Sequence, residues 1–217
     1  MRLTMKGSRH IAIVGGSGSG KTRLAGRLCS ALEQQAVSLS LDDFYRDLSH
    51  LEPPDRDLVN FDDPAAMDWE AARTVMDQLA GGRVAHVPTY DFATHTRRKE
   101  PRLVIPKPLV IWDGLWLLHH SWIRERFILS VFIDCSGGER LARRARRDVE
   151  QRGRTVESVC QQFEHHVAPM HERFVEPQRE LATHCVASPI TDEVWIDLLD
   201  RVSALSGEAA PAMVKSV

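Results

Sequence analysis

The chain has 217 residues, enough for one well-buried domain, and its 43% hydrophobic and 27% charged residues are typical of a globular protein. Its net charge of −2 provides no bulk basic field, which argues against nucleic acid as the main partner. No apolar run approaches the roughly 18 residues of a membrane span, a secretory signal is lacking, and the cysteines are scattered, so a reduced cytoplasmic protein without a membrane partner is predicted.

The first part of the chain alternates predicted strands and helices. The apolar run HIAIV predicts a buried strand, and KTRLAGRLCSALEQQ predicts a helix with three leucines on one face. AVSLSL predicts a second strand, which ends at Asp42 and Asp43. A loop rich in proline and aspartate follows, and DWEAARTVMDQLA then predicts a helix with Asp68 as its N-cap.

The alternation continues after a predicted hairpin at about residues 83–106, formed by the edge strands RVAHVPTYDF and EPRLVIP with ATHTRRK at its tip. PLVIWDG, FILSVFIDC and HCVAS predict strands, whereas GERLARRARRDVEQR, most of TVESVCQQFEHHVAPMHERFV, and DEVWIDLLDRVSAL predict helices. Strands that alternate with helices predict an α/β protein whose parallel sheet is covered by helices on both faces. One domain is predicted over residues 1–205, with residues 206–217 as a flexible tail.

The segment between the first strand and the first helix matches the pattern G-x-x-x-x-G-K-S/T of a phosphate-binding P-loop. Its glycines let backbone N–H groups converge on phosphate oxygens, and the positive end of the helix dipole adds to the binding. Lys21 is predicted to reach the β- and γ-phosphates, and the Thr22 hydroxyl is predicted to hold Mg²⁺. The pattern therefore predicts a P-loop NTPase core with ATP or GTP as the phosphate donor. Its residues are Gly15, Gly16, Ser17, Gly18, Ser19, Gly20, Lys21 and Thr22.

Two further predicted strands end in acidic residues, one at Asp42 and Asp43 and the other at Asp113. Because ligands of such folds gather at the carboxyl ends of the strands, these acids are expected beside the P-loop. Transfer to a hydroxyl needs one carboxylate that accepts the hydroxyl proton and another that holds Mg²⁺ or its water shell. A single aspartate at a strand end is more often a cap of the following loop, but the P-loop favours the chemical interpretation.

Six segments resemble the uridine-cytidine kinase family in their order and rough spacing: GGSGSGKT, LDDFYRD, NFDDPAAMDW, PTYDFATHTR, RLARRARRDVEQRGR and FVEPQRELA. The resemblance runs from about Ile11 to Ala182, and its YDFxxHxR and RRDxxxRGR motifs are far more specific than the P-loop. It implies transfer of the γ-phosphate of ATP or GTP to the 5′-hydroxyl of uridine or cytidine, a reaction of pyrimidine salvage. It also implies an acceptor-binding hairpin, an arginine-rich helical lid at about residues 143–160, and a homo-oligomer, commonly a tetramer.

The resemblance also implies roles for single residues. Asp42 matches the family's general base and is a candidate Mg²⁺ ligand together with Thr22 and Asp113, and Asp62 matches the acid that binds the ribose hydroxyls. The residues that match the pyrimidine contacts are Tyr90, Phe92 and His95. The residues that match the arginines of the lid and of the helix before it are Arg144, Arg147, Arg152 and Arg154.

The lid arginines are expected to clamp ribose and phosphates. Arg144 and Arg147 are predicted to stabilise the transferring group. Arg152 and Arg154 are predicted to bind ATP, and Arg144 and Arg154 also to contact the nucleoside.

The segment WDGLWLL departs from the family pattern, because Asp113 stands where the family has a glutamate that helps to organise Mg²⁺. The shorter side chain keeps the charge but withdraws the carboxylate oxygens by roughly 1.5 Å. Since Mg²⁺ usually keeps several waters, an outer-sphere role is compatible with this change. Trp112 and Trp116 are also bulkier than the common pattern.

Two alternative functions stay open from the sequence. One is a kinase of the same core that acts on another small hydroxyl compound, such as the sugar phosphate of a phosphoribulokinase. Its second phosphate would need a basic cradle, for which Arg97, Arg98 and Lys99 are candidates. The other is a nucleotide-binding regulatory protein without transfer activity, for which the change to Asp113 is the only hint.

Overall fold

A parallel sheet lies at the centre of the computed structural model, which describes residues 7–56 and 58–207, and for residues 151–152 the backbone alone. The strands of the described residues are β1 (Arg9–Gly15), β2 (Ala36–Ser40), β3 (Ala85–Val87), β4 (Tyr90–Asp91), β5 (Thr96–Arg97), β6 (Arg102–Val104), β7 (Leu109–Gly114), β8 (Phe127–Asp134) and β9 (His184–Ala187). Five of them form the central sheet in the order β2-β7-β1-β8-β9, and every neighbouring pair is parallel.

Helices connect the strands of this sheet. They are α1 (Lys21–Leu32), α2 (Pro53–Arg56), α3 (Trp69–Ala80), α4 (Ser121–Arg124), α5 (Gly137–Arg152), α6 (Val156–Gln162), α7 (Ala168–Met170) and α8 (Asp192–Ser206). Wider π-helical turns, 163–167 and 171–175, flank α7 and its Pro169, which has no N–H to donate within the helix. None of the helices in the described part of the chain is long and apolar enough to cross a membrane.

The two faces of the sheet bury two separate apolar clusters. Ala12 and Val14 of β1 point to one face, where α3 packs, and Ile11 and Ile13 point to the other, where α1 and α8 pack. All four side chains are fully buried, as expected for a strand in the middle of a parallel sheet. The predicted α/β sheet with helices on both faces is therefore confirmed.

The predicted hairpin forms, but its strands pair with one another and not with the central sheet. β3 pairs with β6 and β4 with β5, both antiparallel, so a second short ladder joins the end of the first predicted strand to the predicted tip. The segment predicted as a loop before α3 contains the short helix α2, which begins with two prolines whose φ angles suit a first helical turn. Ser206, placed in the predicted tail, is the last residue of α8, and residues 208–217 lie outside the described residues.

A buried histidine joins the first strand to its neighbour in the sheet. The indole Nε1 of Trp112 on β7 donates to Nδ1 of His10 on β1 over 3.0 Å, and both side chains are buried. Burial lowers the pKa of His10 from 6.5 to about 4, so the imidazole stays neutral in the folded protein. The bulk of Trp112, which departs from the family pattern, therefore serves the packing of the sheet.

We predict that His10→Asn removes a pH-dependent part of the stability. Between pH 6.5 and about 4, His10 is protonated in the unfolded chain but neutral in the folded protein. Its contribution to the free energy of unfolding therefore falls as the pH falls. Asparagine still offers an oxygen to Trp112 but does not titrate. Urea unfolding measures the free energy of unfolding at about pH 7.5 and about pH 5. From the higher to the lower pH it should fall by roughly 2 kcal/mol more in wild type than in the variant. An equal decrease in the free energy of unfolding in both proteins would contradict a neutral buried His10.

Candidate active site

The P-loop lies between β1 and α1 in a shape that requires glycine. Gly18 and Gly20 have φ angles of 82° and 103°, in the left-handed region that other residues avoid. A Cβ on Gly18 would also lie 2.5 Å from the carbonyl oxygen of Arg140, because α5 packs directly against the loop. The loop is therefore held tightly on one side, which leaves its other side to bind a ligand.

Lys21 lies within the loop that it serves. Its Nζ donates to the carbonyl oxygen of Gly16 over 2.9 Å. Burial lowers the pKa of Lys21, and the charges of Asp42 and Asp113 oppose this effect. The ammonium group is therefore held between the loop backbone and two carboxylates that come from different strand ends.

Asp113 at the end of β7 is joined to the P-loop helix. The register of the sheet places it beside Ser40 of β2, and the Thr22 hydroxyl donates to its Oδ1 over 2.8 Å. Burial, and after it the neighbouring Asp42 charge, raises the pKa of Asp113 to about 6. The two strand-end acids that the sequence singled out thus lie together at the phosphate end of the sheet.

The oxygen donors at this end suit a magnesium ion that is shared with phosphates. The described residues contain no group of three or more His, Cys, Asp or Glu side chains that could hold a metal ion by themselves. They do supply the adjacent hydroxyl of Thr22 and carboxylate of Asp113. Mg²⁺ prefers oxygen donors and is usually held by one or two carboxylates with waters and substrate phosphates, so these residues fit it.

Asp42 lies at the strand end beside Asp113, and its charge acts on residues predicted to bind the donor and the acceptor. It lies in a 3₁₀ turn, Leu41–Phe44, that directly follows β2. Burial raises the pKa of Asp62, Arg144 opposes this rise, and Asp42 adds to it. Asp42 therefore interacts electrostatically with Lys21 and Asp113 on one side and with Asp62 on the other.

The acceptor hairpin contributes to a cluster of aromatic rings centred on Tyr45. The Tyr45 ring lies 5.3 Å from Tyr90 and 6.4 Å from Phe92, and it meets Phe61 edge-on at 5.5 Å. The ring of His95 stacks on Phe61 at 4.3 Å, and the backbone of His95 has a left-handed φ of 54°. The structure thus brings together the three predicted base contacts, but around Tyr45 and Phe61, which sequence reasoning did not single out.

The signal for the missed aromatic residues was present in the sequence. Tyr45 closes the DDFY segment and Phe61 directly precedes Asp62, so each is next to a residue already assigned to the site. The Tyr45 hydroxyl also donates to the carbonyl oxygen of Phe61 over 2.9 Å, which ties the two segments together. Trp116, the second bulky residue outside the family pattern, meets the Tyr45 ring edge-on at 6.4 Å.

Arg97 docks the hairpin onto the segment that follows β2 and onto the N-cap of α3, and its side chain is occupied by protein groups. Its Nε donates to the carbonyl oxygen of Tyr45 over 2.9 Å, and its Nη1 pairs with the Asp68 carboxylate at 3.0 Å. Its Nη2 donates to the carbonyl oxygen of Phe44 over 3.3 Å. A phosphate cradle at Arg97, as the sugar-phosphate alternative requires, would have to break these bonds.

We predict that Arg97→Ala lowers the free energy of unfolding by about 2–3 kcal/mol, because it leaves several polar groups without their donor. The control Arg98→Ala removes only an exposed pair with Asp91 at 3.8 Å, and its effect should stay within about 0.5 kcal/mol. Thermal and urea unfolding measure both variants. Equal stability of the two variants would contradict the docking role.

The lid arginines converge on one acid that sequence reasoning quoted within a motif but gave no role. Asp148 of α5 is fully buried, and its carboxylate faces Arg144, Arg147 and Arg154. Nη1 of Arg144 also reaches the P-loop, where it donates to the Ser17 hydroxyl over 3.0 Å. The side chain of the fourth predicted lid arginine, Arg152, lies outside the described residues.

A P-loop at the first strand, acids at two neighbouring strand ends and inward-pointing arginines define the class of P-loop phosphotransferases. The model of the Phosphoribulokinase / Uridine kinase family matches residues 10–193. A uridine kinase of Deinococcus deserti is 40% identical over 190 residues, 87% of this chain and 92% of that one. A uridine kinase of Brevibacillus brevis is 37% identical over 190 residues, with 87% and 89% covered.

A solved structure supports the same fold. Phosphoribulokinase from Rhodobacter spheroides superposes with a TM-score of 0.59 at 16% identity, over 82% of this chain and 68% of that one. The chain belongs to the Phosphoribulokinase / Uridine kinase family.

Proposed function

We propose that the protein transfers the γ-phosphate of ATP or GTP to the 5′-hydroxyl of a pyrimidine nucleoside, uridine or cytidine. The observation that carries this proposal is the position of Asp42 in the turn that directly follows β2, at the strand end that lies beside Asp113. There its charge acts on Lys21 of the proposed donor site and on Asp62 of the proposed acceptor site. A base between a phosphate cradle and a ribose-binding acid suits a nucleoside hydroxyl. The names of the relatives from Deinococcus deserti and Brevibacillus brevis, both uridine kinases, support the same acceptor.

In this mechanism Asp42 accepts the proton of the 5′-hydroxyl while the new bond to the γ-phosphorus forms and the bond to the β-γ bridging oxygen breaks. Lys21 and Arg144 stabilise the negative charge on the transferring group, because both side chains reach the P-loop. Asp62 orients the ribose, and the rings around Tyr45 hold the base by stacking. Closure of the lid over both substrates excludes water, which would otherwise hydrolyse the donor.

Mg²⁺ is part of the proposed donor site. Thr22 and Asp113 would hold it, with Asp42 close by, since they supply the hydroxyl and carboxylate oxygens at the phosphate end of the sheet. When bound, the ion neutralises charge on the β- and γ-phosphates. ATP and GTP are equally compatible with the described residues, and a homo-oligomer in the cytoplasm stays a prediction.

The two alternatives are supported less well. A sugar-phosphate kinase needs a free basic cradle, and Arg97 is occupied by four protein contacts, including its own N–H, which donates to Asp47 over 3.0 Å. A nucleotide-binding regulator without transfer activity needs no ring cluster on a hairpin and no further half-buried acid such as Asp62. The function is tested by ADP release with uridine, cytidine and ribulose 5-phosphate. Turnover with ribulose 5-phosphate alone, or with none of the three, would contradict the proposal.

We predict that Asp42→Asn lowers kcat by about 10²–10⁴-fold and leaves nucleotide binding intact, since the amide cannot accept the hydroxyl proton. The matched variant Asp43→Asn should have a milder effect, because Asp43 pairs with Arg102 at 3.8 Å and burial raises its pKa. Steady-state kinetics and nucleotide titrations separate the two. The reverse order of effects would move the base to Asp43.

A second kinetic prediction concerns the acceptor. His95→Ala should raise the KM for uridine by about 5- to 150-fold through loss of a hydrogen bond worth about 1–3 kcal/mol, with little change in the KM for ATP. Asp62→Ala should impair uridine more than 2′-deoxyuridine, because only the ribonucleoside offers both hydroxyls to the carboxylate. Equal losses with the two nucleosides would remove Asp62 from the ribose site.

A further inference from the structure

Three arginines of the lid region share a single buried carboxylate. Asp148 on α5 has no exposed surface, and its Oδ1 accepts from Nε of Arg147 over 2.8 Å. Its Oδ2 lies 3.5 Å from Nε of Arg144 and 3.8 Å from Nη1 of Arg154. One carboxylate is thus shared by three guanidinium groups, and the charge of Asp62 also acts on Arg144.

Asp148 also shapes the chain that brings these arginines together. Its carbonyl oxygen accepts from the backbone N–H of Gly153, which ends α5 in a left-handed conformation, and from the N–H of Arg154 over 3.2 Å. The chain therefore turns back, and Arg154 donates to Oε1 of Gln162 over 2.6 Å. The same oxygen accepts from Nη2 of Arg144 over 2.8 Å, which closes the cluster.

The cluster is connected to the donor site through one guanidinium group. Arg144 is held by Asp148 and Gln162 on one side, and its remaining Nη1 donates to the Ser17 hydroxyl in the P-loop over 3.0 Å. Only 9% of the Arg144 side chain is exposed, so its direction is set by these partners. Asp148 itself has no surface with which to contact a substrate.

We propose that Asp148 is a positioning residue that aims the Arg144 guanidinium at the phosphoryl group in transfer. This inference rests on the proposed function, because it concerns the same reaction. An acid beside the phosphate site opposes the binding of an anionic donor in the ground state. Its benefit therefore lies in the direction of the arginine, which matters most in the transition state.

The test is Asp148→Asn, with Asp197→Asn as the matched control. Asp197 pairs with Arg201 one turn away on α8, as Asp148 pairs with Arg144 on α5, but the pair on α8 is exposed and includes no residue of the proposed site. Asp148→Asn should lower kcat by about 10- to 100-fold, the scale of a small misplacement of a reacting contact. The KM and Kd for ATP should stay unchanged or fall, because a negative charge is lost. Asp197→Asn should match wild type in kcat and in the KM and Kd for ATP.

Arg144→Lys completes a double-mutant cycle. If Asp148 acts through Arg144, the double variant Asp148→Asn with Arg144→Lys should be no slower than Arg144→Lys alone. Additive losses would overturn the proposal. A kcat of Asp148→Asn within twofold of wild type would also overturn it. The same holds if the kcat and the ATP affinity of Asp148→Asn fall together with its melting temperature.

A measurement without an acceptor keeps the two proposals separate. Binding of MgADP with aluminium fluoride, a mimic of the transferring group, should weaken in Asp148→Asn by about 10-fold or more, while MgATP binding does not. Equal affinities for the mimic in wild type and variant would overturn the role of Asp148. Wild type that binds the mimic but turns over neither uridine nor cytidine would overturn the proposed acceptor alone.

Discussion

The hydrogen bond between Thr22 and Asp113 is the contact on which the rest of the site depends. It joins the first turn of the P-loop helix to the end of β7, the strand between β1 and β2. Because parallel strands present their carboxyl ends at one edge, the same register places Asp42, just after β2, beside that bond. Donor cradle, metal donors and proposed base are thus set by the pairing of three strands.

The charges at this edge balance each other imperfectly. Burial disfavours the charged form of Lys21 and of Asp113, and each is supported by the charge of the other. On the side of the predicted lid three arginines share the Asp148 carboxylate. A polyphosphate with its cation would bring negative charge to Lys21 and to these arginines. It would thereby connect the strand ends with the predicted lid. The binding energy of such a ligand would be available to close the predicted lid.

Much of this arrangement could be predicted from the sequence, because its signals are local. The P-loop pattern, the leucine face of α1 and the acids after β2 and in β7 each lie within one short segment. The order of the strands could not be predicted, since apolar runs do not specify their partners. The pairing of His10 with Trp112 was equally hidden, because it joins residues 102 positions apart.

Arg97 and Asp148 show a different limit of sequence reasoning. Arg97 stands in a basic run that suggests a phosphate cradle. Its guanidinium instead donates hydrogen bonds to the carbonyl groups of Phe44 and Tyr45 and to Asp68. Asp148 stands in the arginine-rich segment that was predicted as a lid and received no predicted role, yet it is fully buried. For Arg97 the role of the charge depends on tertiary partners that the local pattern does not contain. The arginine partners of Asp148 lie in its own segment, and only its full burial could not be predicted there.

The identity of the phosphorylated product tests the central claim most directly. Wild-type protein would be incubated with uridine and MgATP, and the products analysed by ³¹P NMR and mass spectrometry. The account predicts uridine 5′-monophosphate in an amount equal to the ADP formed. ADP without a phosphorylated nucleoside, or phosphate on a ribose hydroxyl other than the 5′ position, would contradict it.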